Sequence, residues 1–292
     1  MKKVGQYIGT VLPLLTAVVI QFVVVTAVGF FYTFMRIFQI ASMGGLNFNS
    51  AYATIQGDMQ NSEFLLALSV IFALIDILVF ALWLRNLRNK EQIQVTASRI
   101  SVKQVFIIIG LGICLQVGLT IVLTVIANLK PDWFKEYGEM MEQLGMGTSI
   151  ASFLYVGIVG PIAEELIFRG VTLHKAGKLM PFFAANILQA LLFGIYHMNL
   201  IQGLYAFALG LCLGLLRYTF NTLAASIALH MAVNLSGMIL GFLLTDDILL
   251  NPVSGGILFL VSAAGIFFSL AHFIRLSKKV QEEEIINTWD EN

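Results

Sequence analysis

Charge is what this sequence has least of. Only 12% of its 292 residues are Asp, Glu, Lys or Arg, against 58% hydrophobic, and the mean hydropathy is +0.87. Soluble domains run nearer half apolar and a quarter charged, so a soluble fold of this length could not hide so much apolar surface. The few charges cancel to a net of zero, with a pI near 6.9, which removes the basic surface a nucleic-acid partner would require. Cysteine is equally scarce. Cys114 and Cys212 lie in apolar runs without CxxC spacing or flanking ligands, which argues against a disulfide framework or a zinc ribbon. Internal repeats, low-complexity tracts and linkers between soluble domains are also missing, so residues 1–292 read as one membrane domain.

What the chain does have is long hydrophobic runs. A helix needs about 20 apolar residues to cross a bilayer core, and such runs occupy roughly 8–34, 64–84, 105–129, 148–173, 181–198, 200–217, 222–245 and 250–272. The expected fold is all-α and polytopic, an integral membrane protein of about eight transmembrane helices. Lys2 and Lys3 precede an apolar run uncharged as far as Arg36. That run is about twice the length of a signal-peptide core and has no convincing small-residue cleavage site, so it reads as an uncleaved first span. With the N-terminus inside, Arg36, Lys130 and Lys135 are the cations left outside and the other fourteen of the 17 fall inside, the asymmetry expected of cytoplasmic loops. Both termini are then expected to be cytoplasmic. Residues 131–146 mix aromatics, methionines and acids at helical spacing, as an interfacial amphipathic helix would. Residues 281–292 form an acidic, polar cytoplasmic tail, expected to be solvated or frayed.

Ionisable groups at membrane depth are costly and point to function. In Pro161-Ile-Ala-Glu164-Glu165-Leu-Ile-Phe-Arg169, Glu165 and Arg169 are helix neighbours four apart, acid first. Glu164 is rotated about 100° away and has no local partner. The bland alternative is a helix end with its acids at the interface. Phe193 and His197 share a face; alone, His197 would be a packed, satisfied histidine. His230 and Asn234 are again four apart, and alone they would be interhelical hydrogen-bonding groups. Together the sets reinforce one another. A hairpin turning near 178–181 leaves Glu164 and His197 about 21–24 Å from the turn on antiparallel helices, at matched depth. His230 matches less well, lying about nine residues past the next turn. Asp76 stands alone in the second span, either a buried hydrogen-bonding group or a functional acid.

A carboxylate and a histidine sharing a site can hold a water and take its proton, and a second histidine with an amide supplies donors to a developing oxyanion. Glu164 with His197 and His230 with Asn234 fit these roles. Hydrolysis of a carbonyl compound follows, a peptide bond being the obvious one, and no serine or cysteine in the motifs offers itself as nucleophile. The same Glu164, His197 and His230 could instead hold zinc with one position open, although the HExxH signature is absent. Water activation without a cofactor is the preferred of the two.

The three motifs, Glu164-Glu165-xxx-Arg169, Phe193-xxx-His197 and His230-xxx-Asn234, resemble those of the type II CAAX prenyl protease and bacteriocin-processing membrane proteins, the CPBP or Abi family. The resemblance covers roughly 150–240 and departs at no signature position. It implies an intramembrane endopeptidase in which Glu164 and His197 activate water and His230 and Asn234 form the oxyanion hole. The short loops look bacterial, where prenylated substrates are not expected, so the implied substrate is another membrane-associated peptide or protein. Two other functions compete: a non-catalytic bacteriocin-immunity or scaffold protein, and a proton-coupled transporter relaying through Glu164, Asp76 and the histidines. The absence of paired repeats with broken helices weighs against the transporter.

Overall fold

A computed structural model describes residues 2–42, 47–91, 100–143 and 149–290. Arg99, residues 144–146 and residues 291–292, which enter the expectations above, lie outside the described residues. Every regular element among the described residues is a helix. In chain order these are α1 (Lys2–Ser42), α2 (Phe48–Met59), α3 (Ser62–Glu91), α4 (Val102–Leu129) and α5 (Pro131–Gln143). There follow α6 (Ile150–Gly177), α7 (Phe182–Tyr196), α8 (Leu200–Phe220), α9 (Leu223–Leu240), α10 (Asp246–Leu250) and α11 (Ser254–Asp290). Seven of them, α1, α3, α4, α6, α8, α9 and α11, are long and apolar enough to cross a membrane. The expected eighth, α7, is apolar but only 15 residues long. Its shortness is physical, because the chain turns at His197, Met198 and Asn199, with Met198 at a φ of 52°.

Helix starts are set by short polar side chains that bond the first free amides. Ser101 and Gln104 form a reciprocal cap on α4, and Ser149 and Ser152 do the same on α6. Asn199 accepts from the Gln202 amide at the start of α8. In a bilayer every such backbone group must find a partner within the protein. Large apolar side chains such as Phe22, Phe30 and Phe268 point outward, as lipid-facing positions do and as a soluble surface of this extent does not.

Inward, the helices close on small residues and shared polar groups. A Cβ on Gly194 would lie 2.6 Å from the Gly203 carbonyl oxygen, and one on Gly203 would lie 2.9 Å from that of Gly194. Only glycine lets α7 and α8 touch backbone to backbone there, the small-residue contact typical of membrane helices. Deeper along the same pair, Gln189 donates to the Gly210 carbonyl and Asn186 to that of Leu211.

α3 and α6 run in parallel. Tyr155 meets Ser69, and a Cβ on Gly170 would lie 3.3 Å from Leu84, so fifteen residues separate the two contacts on either helix. Gly170 would also meet Leu223, the first residue of α9, at 3.6 Å. α9 therefore starts about 10 Å deeper than α6 ends, seven residues of helical rise. This accounts for the depth of His230, which straight helices of equal reach leave mismatched.

Candidate active site

The site is built on a change of winding in α6. Residues Gly160–Glu165 are α-helical, but Tyr155–Val159 before them and Leu166–Thr172 after them are wound as π-helix. The Gly160 amide bonds back five residues to Tyr155, and the next residue, Pro161, has no amide to give. The Val156 carbonyl is thereby left without a partner at either position. Asn234 of α9 supplies one, donating through its side-chain amide at 2.9 Å. A buried carbonyl must be paired, so the proline and the asparagine form one device. Insertions of this kind in α-helices collect at functional sites.

Glu165 and Arg169 are fully buried, both 0% exposed, and the Arg169 guanidinium donates to Glu165 Oε1 at 3.0 Å. The expected structural pair is there, but it has a third member. His230 Nδ1 lies 3.0 Å from the same carboxylate oxygen. A carboxylate only accepts, so Nδ1 is the donor. His230 Nε2 then faces Glu164, whose Oε2 is 3.5 Å away. Neighbouring carboxylates of one helix thus address the two nitrogens of one imidazole on another, an arrangement the i,i+4 pattern does not reveal.

His197 caps the end of α7, and its Nδ1 lies 2.8 Å from the Phe193 carbonyl oxygen. That contact places the proton on Nδ1 and the lone pair on Nε2. Phe193 stands between the two histidines, edge-on to His197 at 4.8 Å and to His230 at 5.7 Å between ring centres. Its ring also receives Arg169, 4.3 Å from the centroid, a cation–π contact that is strongest when desolvated.

Glu164, Phe193, His197, His230 and Asn234 all line one cavity of about 760 Å³. Glu165 and Arg169 lie behind its wall. Tyr137, Tyr155, Gln202 and Tyr205 also line it, and no sequence motif marks them, because a tyrosine in an apolar run reads equally as a membrane-interface residue. Asp76 is not part of the lining. Its place on α3, seven residues past Ser69, puts it at about the level of residue 162 of α6, and it is 1% exposed. Its Oδ1 has no hydrogen-bond partner among the described residues. As for a metal, no three His, Cys, Asp or Glu side chains are grouped as an ion would require, among the described residues.

The class is set by these features: an integral membrane protein of apolar helices with a carboxylate–histidine cavity between them. Residues 146–236 match the model of the family described as type II CAAX prenyl endopeptidase Rce1-like. The match runs from the start of α6 through most of α9 and holds all three motifs, in line with the CPBP resemblance, and it points to a membrane protease. No curated protein and no solved structure matches the chain.

Proposed function

We propose that this protein is an intramembrane endopeptidase that hydrolyses a peptide bond of a membrane-associated peptide or protein, in a bacterial cell membrane. One observation carries the reading: Glu164, His197, His230 and Asn234, drawn from three helices, line a single cavity. Glu164 takes a proton from the attacking water as general base. His197, with its lone pair on Nε2, accepts from the same water and aims it. The carbonyl oxygen that becomes negative is met by Asn234, which has a second amide hydrogen besides the one given to Val156. It is met also by His230 Nε2, which donates when the ring is an imidazolium balanced by the acids on either side. Donors fixed in advance around a developing oxyanion supply the largest share of such catalysis. Glu164 then returns its proton to the leaving amine.

No cofactor is needed for this sequence of steps. A zinc ion on Glu164, His197 and His230 would be the alternative source of the activated water, but these side chains are not grouped as an ion would require. The test is cleavage of a library of membrane-inserted peptides by the purified protein in liposomes, read by mass spectrometry, with His197→Ala in parallel. Cleavage by the wild type, lost in His197→Ala and kept in strong chelator, is the expected result. Equal cleavage by His197→Ala would refute the site, and loss of activity together with stoichiometric zinc in chelator would replace the metal-free mechanism.

A further inference from the structure

The end of the cavity away from Glu164 is largely apolar, with Gln116 of α4 and Gln202 of α8 as polar members of its lining, and it has an unusual wall. On α4 it is lined by Leu115, Leu119 and Leu123, on α9 by Val233 and Met238, and just past the end of α9 by Phe242. Both series climb, about one turn at a time, from the level of the acids toward α5. There the lining is completed by Tyr137 and Met141 of α5, four residues apart on one face. α5 is not one of the membrane-crossing helices. Phe134, Tyr137, Met140 and Met141 are half-buried, while Asp132, Trp133, Lys135, Glu136, Gly138 and Glu139 are exposed. One residue, Lys130, joins it to α4. It meets α8 through Tyr137 and Tyr205, which both line the cavity, with hydroxyls 3.4 Å apart and rings edge-on at 6.5 Å. A hydroxyl contact of that length is weak. A short amphipathic helix on a one-residue joint, whose hydroxyl contact to α8 is weak, opens at small cost.

We propose that α5 is a hinged wall of the substrate chamber, and that Tyr137 and Met141 select peptides with a bulky apolar side chain on the α5 side of the scissile bond. The selectivity rests on the peptidase reading above; the hinged wall does not. An apolar side chain entering from the acids meets leucines, then an aromatic face, then a thioether that adapts its shape to fill gaps. A small side chain leaves that volume unfilled and loses the contact energy.

Cys212 lines the same cavity and Cys114 is the one other thiol in the chain, so Cys114→Ala protein carries a single reporter. In that background, N-ethylmaleimide labelling of Cys212 should be about tenfold faster when Tyr137 and Met141 are both alanine, because opening is no longer opposed. Tyr137→Phe keeps the ring and removes the hydroxyl, and it should label at an intermediate rate while keeping the peptide preference. For cleavage, the double alanine variant should raise KM about fivefold more for bulky apolar peptides than for small-residue peptides. Labelling within about twofold of the parent would overturn the wall, and an unchanged KM ratio between the two peptide classes would overturn the selectivity. If the wild type cleaves nothing, the peptidase reading and the selectivity fall together, while the labelling rates still decide whether α5 is a wall.

Discussion

Replacing Glu164 with glutamine should lower the cleavage rate by about a hundred- to ten-thousandfold, the contribution of a positioned general base, and leave the protein folded. Glutamine keeps the shape of the side chain and the reach of Oε1 toward His230, but it cannot take a proton. Glu164 has 21% of its side chain exposed, on the cavity, and its close partner among the described residues is His230 Nε2, which the glutamine carbonyl can still accept from, so no buried donor is stranded. The measurement is single-turnover cleavage in liposomes, with a thermal unfolding curve in detergent for each protein. A Glu164→Gln protein that keeps more than about a tenth of wild-type activity would end its role as the base. An unfolding curve shifted well below wild type would mean the residue holds the structure instead.

The second large effect is on stability and comes from the residue next door. Arg169→Met should destabilise the protein by about 3–5 kcal/mol, the penalty for stripping a buried carboxylate of its partner. Glu165 is 0% exposed; Arg169 and His230 donate to its Oε1, and Ser226 is a further hydrogen-bonding neighbour. Without the guanidinium the carboxylate stays in a membrane interior stripped of its fixed countercharge, with the His230 and Ser226 hydrogen bonds left to hold it. Glu165→Gln combined with Arg169→Met should recover much of the loss, since removing both charges together strands neither. The single variant should also lose activity, because the carboxylate that fixes His230 Nδ1 is no longer fixed itself. Thermal unfolding in detergent decides the matter: a single variant as stable as wild type, or a double variant no better than the single, would show that the pair does not hold α6.

Much of this site is legible in the residues alone. Glu164, His197, His230 and Asn234 stand out because ionisable and amide groups in apolar runs have few innocent explanations, and three motifs in order narrow them further. The Glu165–Arg169 pair follows from helical spacing, and both are buried together. The bond from Glu165 to His230 joins positions 65 apart and depends on how far α9 is set into the bundle, which no local pattern records. The π-wound stretches of α6 are equally hidden, although Pro161, withholding an amide just where Val156 requires one, is a visible trace of them. The apolar run at 181–198 reads as a full span because hydropathy does not see the turn at Met198. The segment at 131–146 does show its amphipathic pattern, and residues 131–143 form a helix. Which of its faces looks into the cavity depends on Tyr205 of another helix.

The shortness of α7 reaches beyond the protein itself. Its 15 residues extend about 22 Å at helical rise, while the hydrocarbon of a typical bilayer is about 30 Å thick. The surrounding lipid has to adjust to this hydrophobic mismatch, by thinning or by letting polar headgroups sink toward the helix end. His197 sits at that end, so thinner lipid around α7 would bring the aqueous phase closer to the cavity without any helix moving. The missing turns of α7 would then make the membrane itself part of the water supply for hydrolysis.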